Sequence, residues 1–172
     1  GTGIYKGSCG CGFFDHMLEL FCRHGRFDIT LDATGDTHVD YHHLIEDLGI
    51  TLGRAFQTGL GDMRGIVRYG SFLLPMDEAL ILVGLDISGR AYLGYALEIP
   101  TEKVGDFDTE LVEEFFRALA FNAGITMHMK VFYGSNNHHI AEAIFKAFGR
   151  ALDEATSMDG RIEGVMSTKG VL

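Results

Sequence analysis

Two short runs of this chain could hold metal ions: His42-His43-Leu44-Ile45-Glu46 and, 96 positions later, His138-His139-Ile140-Ala141-Glu142. Both continue in one register, through Gly53-Arg54-Ala55 and Gly149-Arg150-Ala151. On a helix, twin histidines and the following glutamate occupy neighbouring positions. Adjacent histidines point about 100° apart around the axis, so one twin can serve two different ions. Imidazole and carboxylate donors without thiolate suit manganese, iron or zinc, and an open octahedral geometry favours manganese. A single HHxxE is more often a solvated helix start than a site. Repetition that keeps every potential ligand points instead to a duplicated metal-binding half.

The elements that must position these residues follow from periodicity. Phe13 to His24 reads as a helix with Phe14, Met17, Leu18 and Phe21 on one face, stopped by Gly25. Phe27 to Ala33 alternates as a half-buried strand. The first HHxxE helix carries Ile45, Leu48, Leu52 and Phe56 as its apolar stripe and ends near Gly59 and the Gly61-Asp62 turn. Three strands are expected over 65–74, 78–87 and 91–98, with turns at Pro75 and Ser88-Gly89-Arg90. Thr109 is expected to cap a helix from Glu110 to Ala123. A strand from Ile125 to Tyr133 follows, and Asn136 or Asn137 caps the second HHxxE helix, which runs to about Ala155. The tail from Ser157 to Leu172 is polar and glycine-rich.

The repeat extends backwards from the twin histidines. Asp15-His16 aligns with Glu113-Glu114, Gly25 with Gly124, and Gly35 with Gly134. The chain therefore divides into halves 1–60 and 61–156 plus a tail 157–172, and on this alignment the first half lacks its opening strands. The expected fold is α/β (α+β), with duplicated strand-helix-strand-helix halves and two mixed sheets packed with four helices. One half offers His16, His42, His43 and Glu46 as ligands; the other offers Glu114, His138, His139 and Glu142. Eight ligands could hold two ions and leave positions open for substrate or water. His128 has no repeat partner and reads as a core or supporting histidine. Arg68, Arg90, Lys146 and the run Ser167-Thr168-Lys169-Gly170 could together bind a phosphate through charge-assisted hydrogen bonds.

The 172 residues suit one domain or two intimately packed halves, and the net charge of −10 argues against nucleic acid or an anionic membrane as partner. No apolar run is long enough to span a bilayer. Cys9, Cys11 and Cys22 are odd in number, so a reducing, cytoplasmic setting is expected. On these residues alone, a metal-dependent phosphohydrolase and a non-catalytic, oligomeric metal-binding protein are both open readings.

Several longer stretches carry a resemblance: Phe14-Asp15-His16-Met17-Leu18, Gly35-Asp36-Thr37-His38-Val39-Asp40, Pro75-Met76-Asp77-Glu78-Ala79, Ser88-Gly89-Arg90 and Ser167-Thr168-Lys169-Gly170-Val171-Leu172, alongside both HHxxE runs. Over nearly its whole length the chain resembles imidazoleglycerol-phosphate dehydratase, whose fold is ribosomal protein S5 domain 2-like. The resemblance implies a hydro-lyase of L-histidine biosynthesis that dehydrates D-erythro-imidazole-glycerol phosphate to imidazole-acetol phosphate. It implies two manganese ions per active site, held by the eight residues above, with Glu46, Glu142, His43 and His139 as catalytic candidates. Arg68, Arg90, Lys146, Ser167, Thr168 and Lys169 would bind the phosphorylated imidazole substrate. Trimers would assemble into a 24-subunit homo-oligomer. The chain departs from the family pattern at Lys6 to Gly12, at Tyr41 and at Met166, and lacks the family's opening strands with their acidic residue.

Overall fold

The computed structural model describes all residues, Gly1–Leu172. A short strand β1 (Tyr5–Ser8) leads into helix α1 (Gly12–Gly25), strand β2 (Ile29–Asp32) and helix α2 (His42–Leu60). Then come β3 (Tyr69–Met76), β4 (Ala79–Ile87), β5 (Tyr92–Ala96) and the two-residue strands β6 (Lys103–Val104) and β7 (Phe107–Asp108). Helix α3 (Leu111–Ala123), strand β8 (Ile125–Tyr133) and helix α4 (Asn137–Thr156) complete the order.

Only one sheet is mixed. It runs β3-β4-β8-β5, antiparallel except for the parallel pair β5–β8. The expected second mixed sheet is a two-stranded parallel pair, β1–β2, and β6–β7 form a separate small hairpin. In each half a parallel strand pair brackets a helix, as β1-α1-β2 and as β5-α3-β8. The first half thus does have a strand before its helix, although its residues gave no sign of one. Gly7 explains the concealment: its φ is 106°, and a Cβ there would lie 1.8 Å from the Leu31 carbonyl oxygen. β8 has neighbours on both sides, whereas β2 pairs only with β1. An apolar groove of about 330 Å³ lies along β2, lined by Ile29 and Leu31 and, from α2, by Leu48, Leu52 and Phe56.

The halves interlock. α1 of the first half packs on α4 of the second, and α2 packs on α3. Both crossings depend on missing side chains. A Cβ on Gly149 would stand 2.7 Å from the Phe21 carbonyl oxygen, and one on Gly53 would stand 2.7 Å from that of Leu119. The matched Gly-Arg-Ala runs therefore mark where each HHxxE helix is crossed at close range. Phe14, Phe21, Phe115, Phe116, Phe145 and Phe148, all buried, link α1, α3 and α4 into one aromatic core. Each such burial stabilises by about 1.5–3 kcal/mol. Beneath them, the inward residues Ile81, Val83 and Leu85 of β4 and Met127 and Met129 of β8 are buried on the helix-facing side of the sheet.

Candidate metal centre and phosphate site

The interlocked helices decide which histidines meet. His16 on α1 and His138 on α4 both direct Nε2 at one oxygen of Glu142, at 3.1 and 2.9 Å. His138 and Glu142 are one helical turn apart, and the α1–α4 crossing brings His16 to them. Their ligand atoms all lie within 4.8 Å of one another. Glu142 is buried, while the two imidazoles are part exposed. Burial works to raise the Glu142 carboxyl, but hydrogen bonds from Lys146, His16 and His138 outweigh it and bring the group down to about 2. A buried carboxylate with two convergent imidazoles and one side open is a donor set that fits a divalent ion. Sequence grouping had placed His16 with the first-half ligands; its partners here come from the second half, because α1 is crossed by α4 and not by α2.

The other proposed ligands do not gather in the same way. His42, Glu46 and Glu114 lie on α2 and α3, which also pack together, but they form no set within that distance. His43 and His139 are held by carboxylates outside the cluster. His43 Nδ1 lies 2.9 Å from Asp36 Oδ2, and His139 Nδ1 lies 2.8 Å from Glu78 Oε2. Glu78 is also bound through Oε1 by the backbone amide of Asn136 at 2.8 Å, and these bonds, that of His139 first, bring its carboxyl to about 2. Asn136 caps α4, its side chain accepting from the amides of His138 and His139. Asp40 accepts from the His42 amide in the matching place before α2. His128 is neither core nor beside the cluster: it is exposed on the outer sheet face, its ring tilted against that of Tyr92.

A second site forms around the tail. Arg68, Arg90, Ser167, Thr168 and Lys169 line one cavity of about 750 Å³. Arg68 is buried. It grips Asp86 with Nε and Nη2 at 2.7 and 3.1 Å and donates from Nη1 to the Met166 carbonyl at 2.6 Å. Asp86 thus fixes the guanidinium, and its remaining Nη1 holds the tail in place. The exposed cations of the cavity are Arg90, Arg161 and Lys169, and Arg161 is paired with Asp159. The tail is pinned further by Gly65, whose amide donates to Gly164 and whose carbonyl accepts from Asp159. Lys146 is not in this cavity; its Nζ sits 2.6 Å from Glu142 Oε2, one turn along α4. Thr109 does not cap α3: its hydroxyl donates to the Thr101 carbonyl at 2.7 Å, tying down the loop before the helix.

Sequence reasoning passed over Asp86 and Glu78. Neither has a telling spacing from its partner, since Glu78 reaches His139 from 61 residues away.

The family model for imidazoleglycerol-phosphate dehydratase matches residues 9–152. The chain belongs to the imidazoleglycerol-phosphate dehydratase family. It is a hydro-lyase of that family. The enzyme of that name from Acetivibrio thermocellus is 62% identical over 172 residues, all of this chain and 88% of the relative. The one from Desulforamulus reducens is 60% identical over the same span. Among solved structures, the dehydratase from Staphylococcus aureus is 46% identical with a TM-score of 0.85, over 90% of this chain and 88% of that one. The dehydratase from Pyrococcus furiosus is 39% identical with a TM-score of 0.87, over 99% of this chain and 92% of that one. No helix is long and apolar enough to cross a membrane.

Proposed function

We propose that this chain removes water from D-erythro-imidazole-glycerol phosphate to give imidazole-acetol phosphate, a step of L-histidine biosynthesis in the cytoplasm, and that it needs two manganese ions per active site. The observation that carries the metal requirement is the convergence of His16 and His138 on the buried carboxylate of Glu142. When bound, the ions would supply electrostatic stabilisation and a template for the substrate. The chain's own residues do the rest. Dehydration breaks one C–H and one C–O bond, so a proton must be taken at one atom and given at another. Glu46, Glu142, His43 and His139 are the candidates for holding or passing it. Arg90, Lys169, Ser167 and Thr168 take the phosphate, and Arg68 holds the tail that presents three of them.

His43 and His139, held outside the cluster, support an assembled site. The side chain of His43 is 66% exposed and that of His139 28%, and the cluster itself brings together only three donors. A histidine supplied by a second copy would complete it and couple metal binding to assembly. On this ground, together with the assembly that the family resemblance implies, we read the chain as a homo-oligomer built from trimers into a 24-mer. The test is turnover by chelated protein with and without added manganese. Product formed only with manganese supports the reading. Manganese bound with no turnover would favour a non-catalytic metal-binding oligomer instead.

A further inference from the structure

His43 and His139 are held alike by carboxylates that come from different places. Gly35 and Gly134 are equivalent in the repeat, so Asp36 corresponds to Ser135. In the first half Asp36 itself reaches Nδ1 of His43. The second half has a serine at that position, and Glu78, from the β3–β4 turn, reaches Nδ1 of His139 instead. The amides of Ser135 and Asn136 both donate to Glu78 Oε1, at 3.3 and 2.8 Å, so the incoming carboxylate is held by the very residue that replaces Asp36. The two halves thus reach the same contact, a carboxylate on Nδ1, from unrelated positions in the chain. A carboxylate is acceptor-only at neutral pH, so each Nδ1 must carry the proton. In the neutral ring each Nε2 is then bare. That of His139 faces only Asp77, at 3.8 Å.

We propose that Asp36 and Glu78 are positioning residues that fix His43 and His139 as Nδ1–H tautomers and aim each Nε2 as a metal donor. The proposal rests on the metal-site reading above. Histidines that bind metals usually have their second nitrogen held by a carboxylate, and loss of that partner weakens metal binding about 10–100-fold. Two substitutions isolate the effect. Glu78→Gln keeps the size of the side chain and its acceptor oxygen for the Asn136 amide. Its amide N–H, however, would donate to Nδ1 and drive the ring proton to Nε2. Asp36→Asn makes the same exchange on an exposed loop, so failure of one variant to fold leaves the other decisive.

Nitrogen spectra of histidine-labelled, chelated protein read the tautomers without any metal, and calorimetric titration with manganese reads the affinity. We expect the His139 signal to change to the Nε2–H form in Glu78→Gln and that of His43 to do so in Asp36→Asn. Manganese affinity should fall about 10–100-fold in each, while the chelated variants stay folded at the temperature of the titration. Unchanged tautomers, or affinities within about twofold of the parent protein, would overturn the assignment. If the parent protein binds no manganese, the metal-site reading fails while the nitrogen spectra still judge the carboxylates.

Discussion

Glu142 is the residue on which the metal cluster turns, and it should reveal itself in acid even without metal. Its carboxyl is depressed in the folded chain, so its stabilisation is fully present above about pH 4.5 and is lost as the pH falls toward about 2. In chelated protein, Glu142→Gln should remove about 2 kcal/mol of stability at neutral pH, allowing for partial access of water. The gap between the two denaturation curves should close across that acid window. A gap independent of pH would mean that the carboxylate charge is not what binds Lys146, His16 and His138. At the tail, Arg90→Ala or Lys169→Ala should raise KM about 10–150-fold through loss of a charge-assisted contact worth about 1.5–3 kcal/mol. Metal content measured by elemental analysis should stay constant in both. Equal KM values in parent and variants would remove the phosphate from this cavity.

At the scale of elements, the helix crossings are the most sensitive feature. Gly149→Ala would drive a methyl to 2.7 Å from the Phe21 carbonyl oxygen. Overpacking of this kind costs about 1–3 kcal/mol. Because the same crossing brings α1 to α4, manganese affinity should fall along with the denaturation midpoint. A variant with both unchanged would show that His16 is placed by something other than this contact. Much of this framework was legible in the residues. Ile125–Tyr133 alternates cleanly and forms the strand expected, and both HHxxE helices start where their histidines stand. β1 escaped notice because Gly7 breaks its alternation, and β6 and β7 are too short to have a period. The cluster itself was only half legible. HHxxE spacing describes one helix face, but which helix lies against that face is decided by tertiary packing. The tail reads as loose from its composition, yet Arg68, buried 98 residues upstream of Met166, ties it down.

For the molecule as a whole, assembly should follow metal. Light scattering before and after chelation should show a large oligomer that dissociates or loosens when manganese is removed and re-forms on its return. A monomer under both conditions would contradict a site shared between copies.

The duplication also holds a comparison within one molecule. β8 is bordered on both sides, β2 on one, and otherwise they occupy equivalent places in the same βαβ unit. Amide hydrogen exchange along Ile29–Asp32 and along Ile125–Tyr133 would therefore time the same strand with and without a second neighbour. The faster clock belongs to β2, whose outward amides depend on water where those of β8 are locked to β4. Should β2 exchange slowly in the assembled protein, a further strand must be covering its free edge, and the difference between the two clocks would measure how firmly.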